Sequence, residues 1–212
     1  MTNYDLSLHI FSFMKQAGVE SVVVCAGARN APMVLALQGR GFKIFNYFEE
    51  RSAAFFALGL AKAFGRPVAV LTTSGTAVAE LLPAAIEATY QGLPLLLLTA
   101  DRPRSYRGAG APQAIEQVGI FSKYAEAVYD LDVNATSFEL TWSLKKPLHL
   151  NICFDEPLID KPVLAAHEAK LIRPVSAPGA AVSSPEKPLI IVGQIEPSQT
   201  GAVSEFIQRT QA

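Results

Sequence analysis

Short apolar runs alternate with segments of helical period through the first hundred residues, and this alternation constrains the fold more than any other feature. The runs occupy residues 19–25, 42–48, 67–72 and 94–99. The first is nearly continuously apolar and rich in valine, as expected of a strand buried on both faces of a parallel sheet. Parallel neighbours need a crossover between them, and helical periods fill the gaps. In the first helix, residues 3–17, Leu6, Ile10, Phe13, Met14 and Ala17 recur at helical spacing, and Gly18 supplies a left-handed stop. A short helix follows the first run, and a further helix is expected at 77–90. Two more strands are expected at 125–131 and 148–154, while 135–144 fits either period. The fold class is α/β, a doubly wound parallel sheet.

Each run ends in a polar or glycine-containing turn: AGARNAP, FEERS, TSGTA and TADRP. In a parallel sheet these turns gather at the carboxyl edge, where open α/β sheets bind ligands. The stretch 48–79 packs most of this logic into one unit, with two acids, an apolar helix, a strand and a small-residue turn. Ala53, Phe56, Ala57, Leu60 and Ala61 give that helix one apolar face. Phe55, Leu58 and Ala54 make the rest nearly as apolar, so it is expected to be buried almost all round. Glu49 and Glu50 stand at its start. On the residues alone, Glu50 is either a first-turn acid favoured by the helix dipole or a working carboxylate in a low-dielectric surround. The turn Ser74-Gly75-Thr76 is equally a tight connection or an anion cradle. Arg29, at the same edge, is either an ordinary exposed arginine or an anion contact. The loop 102–119 is long enough to be functional.

Half of the residues are apolar, 17% are charged and the net charge is −1, which excludes a disordered chain and argues against electrostatic nucleic-acid binding. The sequence contains no run long enough to span a membrane, and the N-terminus lacks the pattern of a cleaved leader. Cys25 and Cys153 lie in apolar runs without metal or disulfide spacing and read as buried thiols of a reducing cytoplasm. His9, His149 and His167 have no partner at ligand or triad spacing and read as structural; no metal ligands are expected. Dinucleotide, P-loop and GxSxG motifs are absent. Six prolines fall between 155 and 188, which marks 156–187 as a linker after a domain at 1–155. A new strand at 189–192 and a helix at about 198–209 then begin a second α/β domain, 188–212, which is truncated in this chain.

The words ERSAAFFALGLAKAFGRPVAVLTTSGTAVAELLPAAIEA and LLLLTADRPRSYRGAGAPQAIEQVGIF resemble the N-terminal, pyrimidine-binding domain of thiamine diphosphate enzymes. Within them they are most similar to the carboligase family of menaquinone biosynthesis, whose members decarboxylate 2-oxoglutarate and add the product to isochorismate. The resemblance implies that Glu50 hydrogen-bonds N1′ of the aminopyrimidine and thereby activates the cofactor, and that Gly75 and Thr76 lie beside it. It implies that Arg29, Arg102 and Gln113 bind the carboxylates and hydroxyl of isochorismate, a role suited to arginine's planar fork. The family reads serine-arginine-serine where this chain has Ala28-Arg29-Asn30, and asparagine where it has Pro112. Each lost polar contact costs about 1–3 kcal/mol in binding. In the family, diphosphate and Mg²⁺ are held by a C-terminal domain with a Gly-Asp-Gly signature that this chain lacks, so the chain alone is expected to be inactive. The cofactor is completed by the diphosphate-binding domain of another subunit, which implies a homodimer or tetramer with the Phe55–Leu58 side as interface. The residues leave open a related 2-oxo acid decarboxylase or acetolactate-synthase-like enzyme, and a catalytically silent dimerisation domain.

Overall fold

In the computed structural model of the protein, residues 1–135, 139–160, 170–174, 192–193, 195 and 197–210 are described. The chain divides into two units, Met1–Pro174 and Val175–Ala212. In the first, strands β1 (Ser21–Cys25), β2 (Lys43–Tyr47), β3 (Val68–Thr72), β4 (Leu95–Asp101), β5 (Val128–Asp132) and β7 (Leu148–Cys153) form one sheet in the order β2-β1-β3-β4-β7-β5. Every pairing in it is parallel. Two short strands, β6 (Glu139–Thr141) and β8 (Lys170–Ile172), pair in parallel beside it. The helices are α1 (Asn3–Ala17), α2 (Ala31–Ala36), α3 (Glu50–Phe64), α4 (Thr76–Ala79) and α5 (Leu82–Gln91).

The two-residue period of the strands sorts the core into two layers. Val22, Val24, Ala69, Leu71, Leu96, Leu98, Leu150 and Ile152 share one cluster with Leu6, Ile10, Phe13 and Met14 of α1 and Met33 of α2. Val23, Cys25, Val70, Leu95 and Leu97 face the other way, against Ala53, Ala57 and Ala61 of α3 and Ala84, Ala85 and Ala88 of α5. The sheet is therefore doubly wound. Alanine dominates the second layer because α3 and α5 lie close on the strands, and a larger side chain would lift them. At its start α1 is fixed by a capping box between Thr2 and Asp5, and at its end by Gly18 at φ 84°.

Two expectations are corrected and one stretch left open is assigned. The helix expected over 77–90 is two helices, α4 and α5, broken at residues 80–81. Pro83 has no N–H to continue the first helix, but it fits the opening turn of the second. The α3 helix is not buried all round. Ala53, Ala54, Ala57, Leu58 and Ala61 face the core, while Phe55 and Phe64 are exposed, because only one side of the helix meets the sheet. The ambiguous stretch 135–144 contributes only β6, with 136–138 outside the described residues.

Within the proline-rich stretch, Lys170–Ile172 is β8. Residues 161–169, with His167, and 175–191, with all but the last residue of the strand expected at 189–192, lie outside the described residues. In the second unit the helix expected near 198–209 is α6 (Thr200–Thr210). Among the described residues no helix is long and apolar enough to cross a membrane.

Candidate functional site

The winding of the sheet reverses between β1 and β3: the chain leaves β1 for β2 on one side and returns to β3 on the other. A crevice opens at the carboxyl ends of such a pair. Its walls are the turn after β1, residues 26–30, and the turn after β3, residues 73–75. They touch at Gly27, where a Cβ would stand 2.6 Å from Thr73 Cβ, so only glycine lets them meet. The first turn is closed by Asn30, which is fully buried. The Gly27 N–H donates to Asn30 Oδ1 (2.8 Å) and Asn30 Nδ2 donates to the Cys25 carbonyl (2.9 Å).

The two acids ahead of α3 have different fates. Glu49 is the N-cap: its carboxylate accepts from the Arg51 N–H (2.9 Å) and the Ser52 N–H (2.7 Å), and also from the Ser52 hydroxyl. Those bonds, with Ser52 foremost, hold the Glu49 carboxyl below its ordinary range. Glu50, the first residue of α3, makes no hydrogen bond or ion pair among the described residues. Burial, then the charges of Glu50 and Glu49, push the Cys25 thiol at the end of β1 up to about 12; Glu50 itself opens α3, the helix that packs on β1 and β3.

Arg29 is buried in the first turn, and its Nη1 donates to Glu156 Oε1 (2.9 Å), a residue in the loop after β7. On the other wall, Gly75 adopts φ 81°, and a Cβ there would approach Gln113 O to 3.2 Å. Gln113 is itself left-handed at φ 56° and its Nε2 donates to the Ser74 carbonyl (3.4 Å). Arg102 Nε donates to the Pro112 carbonyl (2.8 Å), and the guanidinium lies over Tyr106. Gly75, Gln113, Pro112 and Arg102 therefore form one connected wall, with Thr76 opening α4 behind it. Arg29 and Glu50 belong to the opposite bank.

The sequence reading missed what lies beneath this wall. Thr99 and Asp101 of β4 and His149 and Asn151 of β7 are buried polar residues on one face of neighbouring strands. Asn151 Nδ2 donates to Asp101 Oδ2 (3.0 Å) and Asp130 Oδ1 (2.7 Å), and its Oδ1 accepts from Gln117 Nε2 (2.7 Å) and Thr99 Oγ1 (3.1 Å). Arg107 grips Asp130 with two bonds (2.9 and 2.8 Å) and reaches Asp101 (3.2 Å); Arg104 joins Asp130 to Asp132. The available signal was the alternation of polar residues inside LLLLTAD and LHLNIC, which marks one strand face as polar. Burial lowers the His149 pKa to about 3, against the opposing pull of Asp130, and the ring is neutral. Burial, then the Asp130 and Asp101 charges, raise the Cys153 thiol to about 12. Both cysteines are free and buried.

Burial alone would raise the Asp130 carboxyl. The hydrogen bonds from Arg107 and Asn151 and the charges of Arg107 and Arg104 outweigh it and hold the group at about 2, below the reference 3.8. A depressed carboxyl stabilises the fold above its unfolded pKa and loses that contribution as pH falls through its folded pKa. The expected result is a loss of roughly 2 kcal/mol between about pH 4 and pH 2. Urea midpoints of wild type and Asp130→Asn across that window check it: the variant's slope is shallower, and equal slopes would remove Asp130 as the cause.

Comparison with known proteins gives a consistent picture. Residues 5–120, more than half of the chain, match the family described as thiamine pyrophosphate enzyme, N-terminal TPP binding domain. A 2-succinyl-5-enolpyruvyl-6-hydroxy-3-cyclohexene-1-carboxylate synthase of Bdellovibrio bacteriovorus is 48% identical, aligned over 100% of this chain and 43% of its own length. The synthase of the same name from Akkermansia muciniphila is 51% identical over 66% of this chain and 27% of its own. That of Geobacillus kaustophilus is 37% identical over 91% and 39%. The chain spans less than half the length of these relatives. By the extent of the family match and the doubly wound sheet that carries it, the chain belongs to the thiamine pyrophosphate enzymes, as their N-terminal, TPP-binding part.

Proposed function

We propose that the chain is the N-terminal part of a thiamine diphosphate-dependent transferase, a 2-succinyl-5-enolpyruvyl-6-hydroxy-3-cyclohexene-1-carboxylate synthase of menaquinone biosynthesis. It decarboxylates 2-oxoglutarate and adds the succinyl semialdehyde unit to isochorismate. The observation that carries the proposal is the division of labour between the two acids. Glu49 caps the helix, so the Glu50 side chain, at the start of α3, is left without a hydrogen-bond or ion-pair partner among the described residues.

The pyrimidine half of the cofactor fits what the chain offers. One carboxylate is free to hydrogen-bond a ring nitrogen, Gly27 lets the two walls approach closely, and Gly75 lets Gln113 lie against its turn within the second wall. When bound, thiamine diphosphate supplies the carbanion chemistry of 2-oxo acid decarboxylation. Glu50 holds and exchanges the proton at the pyrimidine nitrogen, and Gly75 and Thr76 shape the wall beside it. Arg29, Arg102 and Gln113 take the carboxylates and hydroxyl of isochorismate. The diphosphate and Mg²⁺ fall to a domain with the Gly-Asp-Gly signature, contributed by another subunit of a homodimer or tetramer. This chain by itself is then inactive. The exposed apolar residues Phe48, Phe55, Phe64 and Tyr90 support the subunit interface, and a cytoplasmic location fits the two free thiols.

The test uses the full-length enzyme with thiamine diphosphate and Mg²⁺. Product formation from 2-oxoglutarate is expected to require isochorismate. Pyruvate turnover without that requirement would assign the chain to the acetolactate-synthase-like or simple decarboxylase branch instead.

A further inference from the structure

We infer that Gln117 is a positioning residue: its buried amide fixes the turn at Gly75 relative to the loop that carries Arg102 and Gln113. The inference rests on the proposed function, in which that turn faces the cofactor and that loop faces the acceptor. Gln117 is 1% exposed, and three elements meet on its side chain. Its Oε1 accepts from the Gly75 N–H (3.1 Å), while its Nε2 donates to the Ala100 carbonyl (3.0 Å) and to Asn151 Oδ1 (2.7 Å).

The orientation of this amide is forced. Asn151 must give its Nδ2 to two carboxylates, Asp101 and Asp130, so it can present only its oxygen toward Gln117 and Thr99. The Ala100 carbonyl is a second acceptor on the same side. Gln117 must therefore turn its NH₂ inward and its oxygen to Gly75. Arg107 and Arg104 anchor Asp130 from outside, so the chain of forced orientations starts at two ion pairs and ends at a backbone N–H of the crevice wall.

The same residue holds the loop. The backbone of Gln117 bonds Ile115 and Ile120, and Gln113, four positions earlier, lies close against Gly75, where a Cβ would stand 3.2 Å from Gln113 O. Moving the Gly75 turn thus moves Gln113, and loosening Gln117 frees both. A residue with this role sets cofactor affinity and acceptor KM together, without touching the reacting atoms.

Gln117→Glu in the full-length enzyme tests it. The glutamate keeps the shape, and one oxygen still accepts from Gly75. The other faces two acceptors and fits only when it carries a proton. Burial among acceptors raises that carboxyl, so the variant, whose one O–H serves one of the two acceptors, comes nearest to wild type at about pH 6 and fails further as the group ionises. The expected result is a rise of about tenfold in the thiamine diphosphate Kd and in the isochorismate KM by about pH 8, with kcat at saturation changed less than about threefold; wild type stays within about twofold. A Gln117→Glu enzyme whose Kd and KM follow wild type at every pH, with only its melting temperature lowered, would reduce Gln117 to a structural residue and overturn the inference. Gln117→Met fills the volume but leaves the Gly75 N–H unpartnered. It is expected to raise Kd and KM at all pH values, and unchanged constants would overturn the inference even if the glutamate variant does not fold. A wild-type enzyme that binds no thiamine diphosphate would overturn the proposed function itself, and the inference with it.

Discussion

Glu50→Gln in the full-length enzyme is expected to lower carbon dioxide release from 2-oxoglutarate by about 100- to 10,000-fold, the range associated with losing a positioned proton-transfer group. The change is nearly isosteric, and it spares the helix. Glu49, not Glu50, bonds the free N–H groups of the first turn of α3, so the cap survives. What is removed besides chemistry is one negative charge at the helix start, worth about 0.3–1 kcal/mol. The variant should therefore fold, and its melting temperature should show that. An amide at this position can still make a neutral hydrogen bond to a ring nitrogen, but it cannot hold and return a proton there. Glu49→Gln is the control in the same assay. Near-normal decarboxylation by Glu50→Gln would refute the role given to Glu50, and with it the observation on which the proposed function stands.

The division between these two acids also shows what a sequence can and cannot disclose. Local chemistry was readable: α1 starts and ends where its periodicity and Gly18 place it, and the strand runs 19–25, 67–72 and 94–99 contain β1, β3 and most of β4. A short apolar run bounded by turn signals is consistent with a buried strand, and its alternation with helical segments points to a parallel sheet; β2, at the sheet's edge, is largely exposed. The pair Glu49-Glu50 was visible as a helix start, but which acid caps depends on the backbone at residue 49, which is extended at φ −124° and ψ 125°. No composition or spacing sets that angle. The exposure of Phe55 and Phe64 was hidden for a similar reason, since apolarity says what a side chain prefers and not what is present to cover it.

Arg29 and Glu156 meet across 127 positions of sequence, and Gly75 meets Gln117 across 42. Such pairings follow from sheet order, and sheet order follows from crossovers rather than from neighbouring residues. The buried polar layer was half visible in LLLLTAD and LHLNIC. Its meaning depended on β4 and β7 lying side by side in a register that sets Thr99 opposite Asn151. The Ala28-Arg29-Asn30 turn makes the same point. There Asn30, part of the departure from the family pattern, is buried and closes the turn with two hydrogen bonds to the backbone at Gly27 and Cys25.

Asn151→Leu is expected to destabilise the first unit by about 3–5 kcal/mol, although leucine has the same branched outline and number of side-chain heavy atoms as asparagine and the site is fully buried. An area argument predicts the opposite, because a buried apolar side chain normally adds stability. The polar partners decide the sign. Asn151 serves Asp101 and Asp130 as donor and Gln117 and Thr99 as acceptor. Leucine leaves an N–H of Gln117 buried without a replacement acceptor, at about 1–3 kcal/mol for the stranded group, and strips Asp101 Oδ2 and Asp130 Oδ1 of one donor each. Arg107 still reaches Asp101 and Asp130, and Thr99 can turn its hydroxyl elsewhere, so the loss stops short of the sum over all four partners. The urea midpoint of this chain measures the effect, and amide exchange in β4 and β7 locates it. Exchange should quicken first at the carboxyl ends of those two strands and at Gly75, whose N–H depends on Gln117. A shift below about 1 kcal/mol would mean that the layer is tolerated by the fold and does not hold the crevice wall in place.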